Sequence, residues 1–390
     1  MKIAILGRQP ALGMAELESL YGSKKTRWFS DISALVDDEA FDFERLGGSQ
    51  KAGSVVAELH GDWRKVSMKL VQAYQEAWSD SQFKITLGIS AYGFKVTPRE
   101  VQKTGIILKS KLKEKGVSLR LIPNTEEALN TATSHHNKLG LSSNKVELLV
   151  IRNKEGKVII AESVGAQNIT ALAARDQGRP KRDAFVGMLP PKLARLIINL
   201  AVGQSTPTDG RILDPFCGTG VILQESLLMG YKAYGTDLAD KMIDYSAINL
   251  KWLIDNSPIE HPDVELKVGD AMKYKWSKPI DAVACESYLG QPFSAPPSPK
   301  KLDEVCKNTN HIIGTFLSNI SDQLDPGTNL CVAIPAWRDT NGDFTHLPLV
   351  RQIEKFGFKH RSLKNVRSEQ LLYYRENQVV ARELLLLEKS

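Results

Sequence analysis

Short hydrophobic runs alternate with amphipathic stretches along the first part of the chain. The run KIAIL (2–6) predicts a strand, ALGMAELESLYG (11–22) predicts a helix that ends at Gly22, and DISALV (31–36) predicts a second strand. Further strands are expected from about Lys84 and at VSLRLI, VELLVIR and KVIIAESV. The region up to about Gly165 therefore predicts an α+β architecture, divided into two small units near residue 75.

The stretch VTPREVQKTGIILKSKLKEKG (96–116) carries the signals of a well-defined helix. Thr97 suits the N-cap and Pro98 the first helical position, Glu100 completes a capping box, and Gly116 ends the helix. One face is apolar and carries Val101, Leu108 and Leu112. The other faces are basic and carry Lys109, Lys111, Lys113 and Lys115. This pattern predicts a helix with one side in a core and a basic outer surface.

After Arg195 the pattern changes to a repeat of buried strand, glycine loop and helix. RILDPF leads into CGTG and a helical run through Met229, and KAYGTDL leads into a helix through Leu253. VELKVGDA, DAVACE and TNLCVAIPA predict further strands. Alternation of this kind predicts a parallel sheet with helices on both faces, whose ligands bind at the carboxyl ends of the strands.

Composition is that of a globular protein with two or three domains, since the 390 residues are 42% hydrophobic and 25% charged. The net charge is only +6, but basic residues cluster. Between Lys95 and Arg120 there are eight Lys or Arg against two Glu, and between Arg175 and Arg195 six against two acidic residues. Such clusters indicate a polyanionic partner, with a solvated helix face as the alternative.

The four cysteines are widely spaced, with no CxxC pair, which argues against a zinc site or a disulfide framework. MKIAILG is too short for the core of a signal peptide, and no run approaches the ~20 apolar residues of a membrane helix. We therefore expect a cytoplasmic protein that binds no metal and no membrane.

The loop LDPFCGTG (213–220) follows a strand and precedes a helix. It is neither GxGxxG nor a P-loop, so a dinucleotide or a triphosphate is not the expected ligand. Asp214 places a carboxylate at the strand end, while Gly218 and Gly220 let the backbone approach a ligand closely. A carboxylate facing a cationic amino acid group, beside a turn for a nucleoside, suits S-adenosylmethionine.

Two more aspartates end the next two strands. Asp237 can accept both hydroxyls of a ribose, and Asp270 can reach an adenine amino group. Each aspartate alone is better explained as a helix N-cap, but three at successive strand ends favour a cofactor site. The predicted cofactor-binding residues are Asp214, Phe216, Gly218, Gly220, Asp237, Leu238, Asp270 and Ala271.

Several segments resemble one family. DPFCGTG is similar to the first motif of the amino-methyltransferases, and residues 174–201 resemble the segment that precedes it in THUMP-containing tRNA guanine-N2 methyltransferases of the position-10 type. LGRQPALGMAELESLYG resembles the start of that family's ferredoxin-like domain, and LLYYRENQVVARELLLLEK its terminal hairpin. The resemblance implies an α/β class I (Rossmann-like) methyltransferase domain at 171–390, preceded by α+β units: a ferredoxin-like domain at 1–75 and a THUMP RNA-binding domain at 76–170.

The sequence departs from that family at the end of DAVACE. Where the family has Asp-Pro-Pro-Tyr or a close variant, this chain has Glu286, Ser287, Tyr288 and Leu289, followed by Gly290. An exocyclic amine attacks poorly until an acceptor takes its N–H, and an aromatic ring can hold the base by stacking. We therefore predict Glu286 and Tyr288 as the catalytic residues of a rebuilt target-base pocket, with a backbone carbonyl near Ser287 as the alternative acceptor.

Two basic segments are predicted to contact RNA. The connection RDQGRPKR offers Arg175, Arg179, Lys181 and Arg182 to phosphates beside the site, and the basic helix offers Lys109 and Lys113. The resemblance implies methylation of a tRNA guanosine at N2, at position 10, by an enzyme that has tRNA as its partner and no DNA substrate. A small activating subunit is a further candidate partner. Two alternatives stay open: a different tRNA, ribosomal RNA or DNA adenine target, and an inactive tRNA-binding protein that retains the cofactor pocket.

Overall fold

The computed structural model describes residues 1–183, 189–376 and 378–390. The strands are β1 (Lys2–Leu6), β2 (Thr26–Ser30), β3 (Ser33–Val36), β4 (Ser49–His60), β5 (Ile85–Tyr92), β6 (Leu119–Leu121), β7 (Lys145–Arg152), β8 (Lys157–Ala166), β9 (Arg211–Asp214), β10 (Lys232–Asp237), β11 (Val264–Val268), β12 (Ala282–Glu286), β13 (Asn329–Arg338), β14 (Phe344–Thr345), β15 (Phe358–His360), β16 (Leu372–Tyr373) and β17 (Val380–Lys389). The helices are α1 (Pro10–Tyr21), α2 (Trp63–Ala77), α3 (Pro98–Glu114), α4 (Thr131–His136), α5 (Ile169–Gln177), α6 (Pro191–Val202), α7 (Val221–Leu228), α8 (Asp240–Asp255) and α9 (Pro299–Ser321).

The chain forms two compact units. The first contains residues 1–10, 24–44 and 49–171, and the second contains residues 11–23, 45–48 and 172–390. α1 therefore packs with the second unit, where the carboxylate of Glu16 accepts hydrogen bonds from the backbone of Gly47 and Gly48, both at 2.8 Å. The helix ends as predicted, because Gly22 follows it with a φ of +81°.

The first unit is built on one eight-stranded sheet, in the order β2-β3-β1-β4-β8-β7-β5-β6. α3 begins with the predicted capping box, in which Glu100 N donates to Thr97 Oγ1 at 3.3 Å and Thr97 N donates to Glu100 Oε2 at 2.8 Å. Its predicted apolar face is fully buried. Lys109 and Lys113 lie exposed on the same helix.

The predicted division of this region near residue 75 falls inside α2. The sequence reading also missed β4, a 12-residue strand that pairs with both β1 and β8 and so joins the two halves in one sheet. Exposed and partly exposed residues occupy its second half, so no apolar run marks it in the sequence. The separate ferredoxin-like and THUMP domains stay predictions.

The second unit has the predicted alternation of strands and helices around a mainly parallel sheet, in the order β11-β10-β9-β12-β13-β17-β15. β11, β10, β9, β12 and β13 run parallel, and β17 returns antiparallel beside β13. The chain order reverses beside β9, so the carboxyl ends of β9, β10 and β12 border a crevice. No helix among the described residues is long and apolar enough to cross a membrane.

Candidate active site

The glycine loop between β9 and α7 is held by a tight backbone turn and by α8. Gly218 and Gly220 have φ angles of +52° and +81°, values that favour glycine. A Cβ at Gly220 would lie 2.9 Å from Ser246 Oγ, which leaves no room for a side chain. Ser246 Oγ in turn donates to the carbonyl of Gly218 at 2.8 Å, and Asn249 Nδ2 donates to that of Thr219 at 2.9 Å.

The sequence analysis did not identify Ser246 and Asn249 as residues of the site. Both side chains are fully buried in the structure. They lie three residues apart, and so on one face of α8. The rest of this face is apolar and is formed by Met242, Leu250 and Leu253. Two polar residues on an apolar helix face were the sequence signal that could have identified them. Their hydrogen bonds fix the loop's backbone rather than contact a ligand.

A cavity of about 500 Å³ lies at the carboxyl ends of these strands, a volume within the ~300–1,000 Å³ range of small-molecule sites. Nine of the ten residues predicted for cofactor binding and catalysis line it: Asp214, Phe216, Gly218, Asp237, Leu238, Asp270, Ala271, Glu286 and Tyr288. Gly220 does not line it. It packs against Ser246, and its contact with the cofactor stays a prediction.

One side of the cavity, here called the aspartate end, is formed by Asp214, Asp237 and Asp270. Each carboxylate accepts a hydrogen bond from the backbone N–H two residues further on, at 3.1 Å, 2.9 Å and 3.0 Å respectively. Oδ2 of Asp237 also accepts from Gly218 N at 2.9 Å. These aspartates close their own loops instead of capping helices through the third residue, and their carboxylates have fixed directions.

Asp214 is the most deeply buried of the three, with 2% of its surface exposed. Burial raises its pKa well above the usual range, and the nearby carboxylates of Asp237 and Glu286 raise it further. Burial likewise raises the pKa of the Cys217 thiol, which keeps this thiol neutral. A cationic group bound beside Asp214 would offset the cost of its negative charge.

A second part of the cavity wall, here called the glutamate end, is formed by residues 286–290 at the end of β12. Ser287 extends the pairing of β12 with β13, since both its backbone N–H and its hydroxyl donate to the carbonyl of Ala333, at 2.9 Å and 3.0 Å. Tyr288 then turns outward with 42% of its surface exposed. Gly290 makes the bend with a φ of +79°, and Glu286 forms an ion pair with Arg382 of β17.

The predicted RNA contacts of RDQGRPKR are corrected in part. Arg175 donates to both oxygens of Glu225, at 2.5 Å and 3.2 Å, and the Glu225 side chain is 1% exposed. Arg179 is 2% exposed, and its guanidinium nitrogens make no hydrogen bond among the described residues. Lys181 lies 5.4 Å above the Tyr245 ring, and Arg182 is exposed. Lys181 and Arg182 stay candidates for phosphate contacts, whereas the guanidinium of Arg175 is engaged by Glu225 and Arg179 is buried.

The described residues contain no group of three or more His, Cys, Asp or Glu side chains arranged to bind a metal ion. The cysteines Cys217, Cys285, Cys306 and Cys331 form no disulfide.

Comparison with known proteins adds a family to this geometry. A family model described as "DNA methylase" matches residues 70–248, a range that ends within α8 and does not include Glu286. The tRNA (guanine(10)-N2)-dimethyltransferase of Methanothermobacter thermautotrophicus is 30% identical over 197 residues, which cover 49% of this chain and 52% of that protein. The Pyrococcus abyssi protein of the same name is 38% identical over 111 residues, 28% of this chain and 30% of that protein.

These alignments thus span about half the length of the first relative and about a third of the second. Among solved structures, that of TrmN from Thermus thermophilus covers 100% of this chain with 99% of its own, at a TM-score of 0.50 and 16% identity. This structural likeness shows the fold, the Rossmann-like α/β fold found in class I methyltransferases. The comparisons confirm the predicted resemblance, because the matched parts of this chain are similar to tRNA guanine-N2 methyltransferases.

Proposed function

We propose that this protein is an S-adenosylmethionine-dependent methyltransferase that modifies the exocyclic N2 of a guanosine in tRNA, at position 10. The observation that carries the proposal is that one cavity is lined by three strand-end aspartates together with a glutamate carboxylate and an exposed tyrosine. The names of the relatives support tRNA and position 10.

The residues of the aspartate end fit this cofactor. The buried Asp214 matches its amino acid cation, the oriented carboxylate of Asp237 matches ribose hydroxyls, and Asp270 matches an adenine amino group. Phe216, Leu238 and Ala271 supply apolar lining. When bound, S-adenosylmethionine supplies a methyl group on a positively charged sulfur, which departs as a neutral thioether with the electron pair of the broken bond.

The glutamate end fits the target base. The amino nitrogen gains the methyl group and gives up one proton, so it needs an acceptor for an N–H while the new bond forms. Glu286 is a carboxylate in the cavity wall, and Tyr288 offers a ring at its mouth. Stacking on such a ring contributes about 1–3 kcal/mol.

The first unit is proposed to capture tRNA, with a ferredoxin-like domain at 1–75 and a THUMP domain at 76–170. Lys109 and Lys113 of α3 are exposed and suit phosphate contacts, as do Lys181 and Arg182. A cytoplasmic location and a small activating subunit complete the proposal. A DNA amino group is a second candidate substrate, because the matching family model is described as a DNA methylase.

The test is transfer of a labelled methyl group from S-adenosylmethionine to unmodified tRNA or to duplex DNA, followed by nuclease digestion and mass spectrometry. We expect N2-methylated guanosine from a single position of tRNA and no label in DNA. Methyladenine in DNA would support the second candidate. Tight tRNA and cofactor binding without transfer to any nucleic acid would leave the binding protein as the better description. The variant Asp237→Ala should lower methyl transfer by weakening the cofactor site. Asp240→Ala is its matched control, because Asp240 is an exposed aspartate of α8.

A further inference from the structure

Glu286 and Arg382 meet across the sheet at the glutamate end of the cavity. Nε of Arg382 donates to Oε1 of Glu286, and their side chains are 10% and 15% exposed, respectively. The register of the strands produces this contact, because Glu286 lies opposite Ala333 and Arg382 lies opposite Pro335 on β13. Ala333 and Pro335 are two residues apart, so both charged side chains stand on one face of the sheet.

The two partners differ in their relation to the cavity. Glu286 lines it, whereas Arg382 is not among the lining residues. Within the described part of the chain, Oε1 of Glu286 has Arg382 as its partner and Oε2 makes no hydrogen bond. One carboxylate oxygen is therefore occupied by the protein, while the other stays available to a ligand.

We propose that Arg382 is a positioning residue, which holds Oε1 of Glu286 so that Oε2 accepts an N–H of the target amino group. The assignment rests on the proposed function. A free glutamate must lose side-chain freedom when the base arrives, whereas an arginine-held one has already lost it. Arginine suits the task because its guanidinium stays protonated and offers rigidly placed donors.

The arginine also balances charge at this point of the sheet. Asp214 and Cys285 both lie near enough to interact electrostatically with the Glu286 carboxylate. Asp214 is acidic, and so opposes the negative charge of Glu286. Arg382 places a positive charge against the Glu286 carboxylate, where both side chains are largely buried, and so offsets this repulsion.

The neighbouring residue on β17 provides a matched control. Glu383 points to the other face of the strand and pairs with His346, with 2.8 Å between Nδ1 and Oε2. Glu383 is 7% exposed and Arg382 is 8% exposed, so both are buried side chains of the same strand with one polar side-chain partner each. Only the Arg382 pair includes a residue of the cavity wall.

The experiment compares Arg382→Gln, Arg382→Lys and Glu383→Gln with the unmodified protein, and it adds Arg382→Gln to a Glu286→Gln background. For each variant, kcat and KM with tRNA, cofactor affinity by calorimetry and thermal unfolding are measured. We expect Arg382→Gln to lower kcat about 10- to 100-fold, since misplacing a reacting group by about 1 Å can cost about 100-fold. KM and cofactor affinity should change less than about 3-fold, and Arg382→Lys should recover part of kcat.

The double variant decides whether Arg382 acts through Glu286. If it does, Glu286→Gln with Arg382→Gln should lie within about 2-fold of Glu286→Gln alone, and Glu383→Gln should keep the unmodified kcat. Equal losses in both backgrounds, or a fully active Arg382→Gln, would overturn the assignment. If Arg382→Gln does not fold, Arg382→Lys carries the same comparison. An unmodified protein without any transfer would reject the proposed function and this assignment together, whereas an active one with additive losses rejects only the assignment.

Discussion

At the aspartate end of the cavity each carboxylate is oriented by its own loop, whereas at the glutamate end Glu286 is paired with an arginine 96 residues further along the chain. The first arrangement is local, since an aspartate at a strand end accepts from the N–H two residues on. The second exists only after β12, β13 and β17 have assembled. The proposed cofactor side of the site is therefore built from short sequence signals, and the proposed substrate side from long-range pairing.

The largest expected effect lies at the glutamate end. Glu286→Gln preserves size but removes the negative charge of the acceptor, so kcat for tRNA methylation should fall by about 10²-fold or more. Cofactor affinity by calorimetry should stay the same, because the aspartate end is untouched. Thermal unfolding is the control, since the change leaves the largely buried Arg382 without its ion pair.

A tolerated Glu286→Gln together with an inactive Tyr288→Ala would contradict this role. The acceptor would then be the backbone carbonyl of Ser287, while stacking by Tyr288 would still hold the base.

Cofactor affinity should respond most strongly at Asp237. Asp237→Ala removes a carboxylate that also binds Gly218 N, and we expect a loss of about 10- to 100-fold in affinity by calorimetry, the range for one or two charge-assisted hydrogen bonds. Asp270→Ala should cost less, and Asp240→Ala should cost nothing measurable. Equal losses at Asp237 and Asp270 would show that the ribose assignment is wrong.

Charge reversal on α3 tests whether the first unit captures tRNA. Lys109→Glu with Lys113→Glu should weaken tRNA binding about 10-fold and reduce its salt dependence, because each phosphate contact contributes about 0.9 to the logarithmic slope. Lys307→Glu on α9 is the control, an exposed lysine that pairs with Asp303. Unchanged affinity and slope in the α3 variant would remove this helix from the RNA surface. Deletion of residues 1–170 is a less suitable test than charge reversal, because it would also remove α1, which belongs to the second unit.

The smallest effect is a pH dependence at Asp214, whose pKa is raised by burial and by the nearby Asp237 and Glu286. A raised pKa in the folded state contributes stability that is complete below the unfolded pKa of about 3.9 and is lost as pH rises through the folded pKa. Asp214→Asn cannot ionise, so the free energy of unfolding of the unmodified protein should fall relative to this variant over that rising pH range. Urea unfolding at several pH values measures this difference in the free energy of unfolding. If the free energies of the two proteins change with pH in parallel, the raised pKa of Asp214 is contradicted.

Much of the second unit could be predicted because its strands are short apolar runs followed by glycine or aspartate. Asp214, Asp237 and Asp270 were recognisable for that reason, and the structure brings them to one cavity. Gly220 has the same signal as Gly218, yet it faces Ser246, because only packing against α8 distinguishes the two glycines. The sequence could not reveal that Arg175 pairs with the buried Glu225, since these residues are 50 positions apart.

β4 and Arg382 escaped prediction for related reasons. β4 has exposed residues along its second half, and it is a strand because it pairs with β1 and β8. Arg382 reads as an ordinary charged residue near the start of a terminal strand, and its relation to Glu286 follows from the register across β13. Strand register depends on the whole sheet, so a local pattern does not encode it.

The central claim is that Glu286 accepts a hydrogen bond from the guanine 2-amino group in this cavity. The most direct test removes only that amino group from the substrate. Two tRNA transcripts are compared, one with guanosine and one with inosine at position 10, since inosine lacks only the 2-amino group. The account predicts methyl transfer to the guanosine transcript, no transfer to the inosine transcript, and equal binding of both. Equal transfer to the two transcripts would contradict the account, because the methyl group would then be going to another atom or another nucleotide.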